Sequence, residues 1–155
     1  MFPVTVRGRV RRGHPDDGGQ LLTRVKARDV RSKTRGARPG DAEKIYTALI
    51  DTGASISAIQ KELAQERDFT VVAEYFADAA HGGKVTDVYE LDVTLPRGLV
   101  FRGVHVAAID GLKGMDFVIG MDIIKESRLL IRRRTGVFTM SFPRRFVAPR
   151  SLSSF

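Results

Sequence analysis

The stretch ALIDTGAS at residues 48–55 constrains the fold of this chain more than any other part of its sequence. Three apolar residues in succession predict a buried strand, and the chain then passes directly into an acid, a hydroxyl and a glycine. Burial of an ionised carboxylate costs several kcal/mol unless the group is paired or hydrogen-bonded. Asp51 therefore needs a specific partner or a changed protonation state, which is typical of a catalytic acid.

The residues that follow Asp51 are suited to supporting its loop. Gly53 lets backbone amides approach the carboxylate closely, and the Thr52 and Ser55 hydroxyls are available to orient it or to brace the loop. By itself the tripeptide Asp-Thr-Gly is a weak signal, because an ordinary turn with a solvated aspartate has the same sequence. The support for Asp51 as a catalytic acid has to come from the rest of the chain.

The composition excludes several classes of site. A chain of 155 residues fits one domain with a substantial core. It has no apolar run long enough to span a membrane and no secretory signal at its N-terminus, so a cytoplasmic protein is expected. The absence of cysteine excludes disulfides, thiol nucleophiles and cysteine metal sites. His14, His81 and His105 show no metal-ligand spacing and give a histidine-dependent triad little support.

The net charge of +8 allows two interpretations. It would attract nucleic acid, anionic membranes or acidic substrates, but it is equally compatible with a merely soluble surface. No aromatic residues alternate with the basic ones, which weakens a single-strand nucleic-acid site based on base stacking. The basic residues crowd the first quarter of the chain, at Arg7, Arg9, Arg11, Arg12, Arg24, Lys26, Arg28, Arg31, Lys33, Arg35 and Arg38.

Many short apolar stretches separated by turn residues predict an all-β barrel or sandwich. We expect one short helix at about 58–66, because Ser57 to Gln60 have the spacing of a capping box, and a helical turn at 122–126 capped by Asp122. The predicted strands are 3–10, 21–30, 48–50, 69–76, 85–95, 99–109, 117–120, 129–131 and 137–142.

The predicted organisation is a single domain at residues 1–142 with a basic C-terminal tail at 143–155. Within the domain, residues 1–44 form a basic hairpin and loop, and 45–142 form the core. The loop at 31–41 is expected to be mobile, and the tail is expected to be loosely held.

Two motifs in this order carry a family resemblance. Residues 48–55 are followed about seventy residues later by Val118-Ile119-Gly120-Met121-Asp122-Ile123-Ile124, and the chain thus resembles the retropepsin-like (retroviral-type) aspartic proteases, specifically their bacterial single-domain relatives. The resemblance covers roughly residues 46–142. It implies a closed acid-protease barrel with one or two short helices, a single lobe that dimerises.

The resemblance also implies roles for individual residues. Asp51 falls on the catalytic position, Thr52 on the threonine that grips the partner subunit's loop, and Gly53 on the loop glycine, with Ala54 and Ser55 completing the loop. A hairpin at about 75–92 would carry a substrate-binding flap, and Phe117 to Ile124 would brace the Asp loop. The flap residues are Ala80, His81, Gly82 and Gly83, and the bracing residues are Ile119 and Gly120.

Three features depart from the viral pattern. Met121 stands where the viral enzymes commonly have arginine, so a salt bridge made there is not implied. The flap has only Gly82 and Gly83 where viral flaps carry more glycine, and the basic N-terminal hairpin is longer. These departures concern the dimer interface and the motion of the flap rather than the catalytic acid.

The chain contains one Asp-Thr-Gly, and one carboxylate cannot act as general base and general acid together. A protease built from this chain would therefore be a homodimer in which two copies of Asp51 share one proton, because like charges about 3 Å apart cannot both ionise. Such an enzyme would act on a peptide or protein substrate and would require no metal or cofactor. Ile50, Ala80, Val85 and Ile119 are candidates for pocket walls, and they are equally compatible with plain core.

Two alternatives remain at the level of the sequence. An aspartyl-phosphate nucleophile would need alternating strands and helices, with further acids and a lysine around magnesium, and the chain lacks both the helices and a paired Asp-x-Asp. The stronger alternative is a catalytically silent retropepsin-like module that dimerises, binds peptide, or binds nucleic acid through its basic N-terminal third. The intact residues 51–53 favour the enzyme, since a binding module gains nothing from a desolvated acid.

Overall fold

The computed structural model describes residues 4–11, 19–31, 44–77, 83–132 and 134–147. Within these ranges the chain forms strands joined by short turns, with two short α-helices. The strands are β1 (Val4–Arg11), β2 (Gln20–Asp29), β3 (Ile45–Ile50), β4 (Ala58–Gln60), β5 (Val71–Ala77), β6 (Lys84–Leu95), β7 (Leu99–Ile109), β8 (Phe117–Ile119), β9 (Arg128–Arg132) and β10 (Val137–Phe142). The helices are α1 (Lys61–Glu66) and α2 (Met121–Ile124), and 3-10 turns span Pro96–Gly98 and Arg144–Phe146.

Alternating burial explains why the strands form. In β10 the side chains of Phe138, Met140 and Phe142 are buried, while the residues between them are partly exposed. Successive side chains of a strand point to opposite faces, so this pattern places one face on the core and the other towards solvent. β8 is apolar throughout and buried at all of its positions, as expected for a strand enclosed on both sides.

The strands form one sheet in the order β5-β6-β7-β4-β8-β3-β2-β1-β10-β9. An additional antiparallel pairing joins β2 to β6, from Lys26 opposite Thr94 to Asp29 opposite Leu91. This pairing closes the strands β2, β3, β8, β4, β7 and β6 into a six-stranded barrel. The predicted all-β barrel with short helices is confirmed, and the predicted pairing of β1 with β2 and of β9 with β10 is observed.

The barrel interior holds the core, with large side chains such as Tyr46, Phe117 and Leu91 fully buried. The Tyr46 hydroxyl has no hydrogen-bond partner among the described residues. Burial raises the pKa of Tyr46, an effect that the nearby Arg67 opposes. Among the described residues, no helix is long and apolar enough to cross a membrane.

The predicted start of the first helix is wrong. Residues 58–60 form strand β4, and α1 begins at Lys61 without a side-chain cap. Ala58 and Ile59 lie opposite Ala107 and Ala108 of β7 on one side, and they also pair with β8 on the other. A ladder on both sides satisfies more backbone groups than the first turn of a short helix would, so the tertiary pairing overrides the local capping pattern.

The described part of the predicted tail is packed rather than loosely held. Phe146 stacks on Phe101 with the ring centroids 4.6 Å apart, and Val147 forms an isolated bridge with Leu99. Residues 148–155 lie outside the described residues, as does nearly all of the predicted mobile loop at 31–41.

Candidate active site

The loop that begins at Asp51 follows the end of β3, between the neighbouring strands β2 and β8. The Asp51 amide donates to the Ile119 carbonyl at 3.0 Å, which continues the pairing of β3 with β8 into the loop. The Gly53 amide donates to Asp51 Oδ1 at 2.8 Å. No described residue donates to Oδ2, and the side chain is only partly buried. The carboxylate is therefore held at one oxygen and left accessible at the other.

The side chains of Thr52 and Ser55 do not orient this carboxylate. Both residues are exposed, and neither hydroxyl has a hydrogen bond within the described part of the chain. Ala54 is half-buried and contributes backbone groups, since its amide donates to the Asp51 carbonyl at 3.3 Å. The structure shows neither hydroxyl orienting Asp51 or bracing the loop within the described residues, whereas the predicted approach of a backbone amide is observed at Gly53.

Gly120 brings the segment after β8 into close contact with the Asp loop. A Cβ atom at this position would lie 2.6 Å from the backbone carbon and oxygen of Ile56, and 2.9 Å from the carbonyl oxygen of Ala54. The Met121 amide donates to that same Ala54 oxygen at 2.8 Å. Ile119 is fully buried beneath the contact. Only glycine permits this approach, and the two segments therefore support each other through their backbones.

A second connection joins the same two segments through Ser57 and Asp122, which the sequence assigned to helix caps. The Ser57 amide and hydroxyl both donate to the Asp122 carboxylate, at 2.9 and 2.8 Å. The Ser57 hydroxyl oxygen in turn accepts from the Gly120 amide at 3.1 Å. Asp122 lies inside the first turn of α2 rather than at its cap, and Gly120 is the N-cap residue. The only sign of this connection in the sequence is that Ser57 and Asp122 are polar residues inside otherwise apolar segments.

The hairpin of β5 and β6 occupies the position predicted for the flap. Ala80, His81 and Gly82 lie outside the described residues, so only Gly83 of the predicted tip is placed. Gly83 is exposed, and the ring of Phe76 covers it so closely that a Cβ atom would lie 1.9 Å from the ring.

Two side-chain contacts connect the end of β6 nearest the predicted tip to the end of β7 and the residue after it. The Thr86 hydroxyl donates to the Ala108 carbonyl at 2.6 Å. The Lys84 ammonium hydrogen-bonds to the Asp110 carboxylate, and this hydrogen bond, together with the charge of Lys84, lowers the pKa of Asp110. These contacts extend the connection between β6 and β7 beyond the ladder that begins at Val88 and Ala107.

The candidate pocket walls separate into core and surface. Ile119 is fully buried and Ile50 is 5% exposed, so both are core residues in the single chain. Val85 is 55% exposed and pairs with Phe76, which is also exposed. Of the residues proposed as pocket walls, Val85 is the one that a peptide could contact, and Ala80 lies outside the described residues.

Comparison with known proteins places this geometry in context. The family model described as gag-polyprotein putative aspartyl protease matches residues 42–126, more than half of the chain. Among curated proteins, no sequence matches. The matched span includes β3, the Asp loop, the β5–β6 hairpin and α2.

Two solved structures are similar to this chain to different degrees. A retropepsin-like aspartic protease from Rickettsia conorii superposes with a TM-score of 0.56 at 14% sequence identity, covering 92% of this chain and 95% of that chain. The retroviral protease-like domain of Ddi1 from Leishmania major gives a TM-score of 0.43 at 18% identity, covering 84% of this chain and 98% of that chain. The first similarity shows that this chain has the retropepsin-like fold.

Proposed function

Because the chain belongs to the gag-polyprotein putative aspartyl protease family, we propose that it is an endopeptidase in which Asp51 is the catalytic acid. The observation that carries this proposal is the state of the Asp51 carboxylate. One oxygen accepts from the Gly53 amide at 2.8 Å, and the other has no donor among the described residues. An acid placed on a rigid backbone with one open oxygen can accept a proton from water.

The active enzyme is a homodimer in this proposal. One chain supplies one such carboxylate, whereas activation of water and protonation of the leaving group need a base and an acid. Thr52 and Gly53 are exposed at the tip of the loop, where a second copy can approach. Two copies of Asp51 brought together share one proton, because two adjacent negative charges repel each other.

Each residue then has a defined role in hydrolysis. The ionised Asp51 takes a proton from a water molecule, whose oxygen attacks the scissile carbonyl. The protonated carboxyl of the partner subunit's Asp51 gives its proton to the carbonyl oxygen, which yields a tetrahedral diol. Asp51, which is now protonated, gives its proton to the amide nitrogen, and the ionised carboxylate of the partner subunit's Asp51 takes a proton from the diol. The carbon–nitrogen bond breaks, and the two carboxyl groups again share one proton. Rigid support of the loop by Gly120 fixes the two carboxylates for this exchange.

The β5–β6 hairpin is proposed to hold the substrate as a flap. β5 is the edge strand of the sheet on this side, so its outer backbone groups are available to an extended peptide. Val85 and Phe76 expose apolar surface on the same hairpin, at 55% and 62% of their areas. Backbone hydrogen bonds would position the peptide, while side chains such as these would select its residues.

The test is cleavage of a diverse peptide library by the wild type and by Asp51→Asn. Asparagine keeps an acceptor for the Gly53 amide but cannot carry the shared proton, so we expect the rate to fall by a factor of about 10²–10⁴. Glu62→Gln, a change at an exposed residue of α1, is the matched control and should retain activity. Specific activity should also rise with protein concentration through the range of dimerisation. Equal cleavage by Asp51→Asn, or a folded wild-type dimer that cuts nothing, would remove the proposal.

A further inference from the structure

The outward side of four neighbouring strands carries a surface that proteolysis does not use. Strands β9, β10, β1 and β2 lie side by side at one end of the sheet. Directly paired residues point to the same face, and the register therefore shows which side chains share it. Arg7 lies opposite Thr139, which lies opposite Leu130, and Arg9 lies opposite both Val137 and Leu22.

Six exposed arginines occupy this surface, which we call the arginine face. The residues next to them in sequence point to the opposite face, as Val6 beside Arg7 and Val25 beside Arg24 do with full burial. None of the residues that β1, β2, β9 and β10 direct outwards is acidic. The members of the arginine face are Arg7, Arg9, Arg11, Arg24, Arg128 and Arg132.

Within the described residues, no carboxylate neutralises the charge of the arginine face. The ion pairs of the described residues use other groups, such as Arg28 with Asp92 and Arg145 with Glu126. No arginine of the face forms an ion pair within the described ranges. Six unpaired positive charges on a firmly packed sheet repel one another, and they gain free energy when an extended polyanion neutralises them.

The chemistry of the face favours phosphodiester over other anionic partners. A guanidinium forms paired hydrogen bonds to phosphate, which suits it to a nucleic-acid backbone. Alternate residues of a strand lie about 6.8 Å apart, so Arg7, Arg9 and Arg11 on β1 present guanidinium groups in an evenly spaced row. A nucleic-acid backbone carries a phosphate at every nucleotide and can place several of them along such a row.

Other partners fit less well. A protein interface needs a central apolar or aromatic anchor, and a membrane surface favours aromatic and apolar side chains that insert. No outward residue of the four strands is aromatic, and Leu130, at 46% exposure, is the exposed large apolar residue among them. The lack of aromatics also excludes base stacking, so recognition would be of the backbone and independent of base sequence.

From this surface we propose a second activity of the chain: binding of nucleic acid through its phosphate backbone at the arginine face. The face includes no residue of the loop at 51–55, although one of its strands, β2, pairs with β3 directly before that loop. Binding therefore does not depend on the proposed catalysis. Asp51→Asn should bind nucleic acid as the wild type does.

The probe is a short fluorescein-labelled duplex DNA of arbitrary sequence, titrated at several salt concentrations. For the wild type we expect a dissociation constant of roughly 10⁻⁶–10⁻⁴ M near physiological salt, weakening steeply as salt increases. The variant Arg7→Gln/Arg9→Gln should bind about tenfold more weakly or worse, and the slope of log K against log salt should decrease by about 2. Arg128→Gln/Arg132→Gln on β9 tests the same face independently, should the first variant fold poorly.

The control removes two positive charges elsewhere. Lys113→Gln/Lys125→Gln changes the net charge equally in the loop after β7 and just after α2, and it should leave the salt slope unchanged. An equal loss in control and test variants would mean that net charge alone attracts DNA, which overturns the proposal. Absence of binding by the wild type at low salt also overturns it, as would binding to phosphatidylserine vesicles that requires the arginine face when DNA binding does not.

Discussion

At the scale of single residues, the candidate site is defined by backbone contacts. The Asp51 carboxylate accepts from the Gly53 amide, and the Asp51 amide donates to the Ile119 carbonyl. The exposed Thr52 and Ser55 hydroxyls form no hydrogen bond among the described residues. An aspartate oriented by peptide groups loses little conformational freedom on binding a water molecule, because the loop is already fixed.

Replacement of two glycines of the site by alanine should have different effects, one on stability and the other on peptide cleavage. Gly120→Ala places a methyl group 2.6 Å from backbone atoms of Ile56, which cannot move aside as a side chain could. We expect this variant to lose about 1–3 kcal/mol of unfolding free energy. Gly53→Ala brings its methyl group 3.2 Å from Asp51 Oδ1 in an exposed loop. Its stability should stay within about 0.5 kcal/mol of the wild type, while peptide cleavage falls because the carboxylate is displaced.

Urea denaturation and peptide cleavage, measured on the same preparations, separate the two effects. A Gly120→Ala protein as stable as the wild type would contradict the close packing of the two segments. A Gly53→Ala protein with full activity would show that the Asp51 carboxylate tolerates displacement.

At the scale of elements, β4 and α2 form the support of the Asp loop. β4 pairs with β7 on one side and β8 on the other, and it begins directly after the buried Ser57. α2 begins directly after β8 and presents Asp122 to Ser57. The two elements are short, and each depends on the other for the hydrogen bonds that its end leaves open.

Removal of the Asp122 carboxylate tests this connection. Asp122→Ala leaves the buried Ser57 amide and hydroxyl without their acceptor, and we expect a loss of about 2–3 kcal/mol in unfolding free energy. Asp122→Asn keeps an acceptor oxygen and should lose about half as much. Chemical denaturation of both variants gives the comparison, with Asp87→Ala on β6, outside the Asp loop and its supporting elements, as the control. Equal stability of Asp122→Ala and wild type would rule out a supporting role for the pair.

At the scale of the whole molecule, closure of the barrel depends on β2. Its first three residues pair with β1 and its last four pair with β6, while the residues from Leu21 to Lys26 pair with β3. Asp29 lies at the end of this strand, where its buried carboxylate accepts from the Arg31 and Thr70 amides, each at 2.8 Å. The acid therefore joins the end of β2 to the chain that enters β5.

Loss of that carboxylate should weaken the closed barrel as a unit. Asp29→Ala leaves two amides without their acceptor, and we expect about 2–4 kcal/mol lower unfolding free energy. The slope of the free energy with urea should be unchanged if the barrel still unfolds in one cooperative step. Glu74→Ala, at an exposed position of β5, is the control and should differ little from wild type. A transition at the wild-type midpoint for Asp29→Ala would show that closure does not depend on this acid.

The sequence by itself determined the elements whose signals are local. Apolar patterns located β6, β7, β8 and β10 to within one residue at each end, because alternation or continuous burial follows from side-chain geometry within one strand. The prediction of β3 at 48–50 missed its first half, since the strand begins at Ile45. The same local reading identified Asp51 in its loop and Gly120 after β8, since an acid or glycine at the end of a buried strand is visible without knowledge of its neighbours.

The tertiary structure alone decided which segments meet. Ser57 and Asp122 are 65 positions apart, and each resembled a helix cap in its own segment. Residues 58–60 form the strand β4 because they pair with β7 and β8, and β2 closes the barrel because it pairs with β6. The arginine face likewise required the register of four strands. Contacts between distant segments depend on the whole arrangement of the chain, and no local periodicity specifies them.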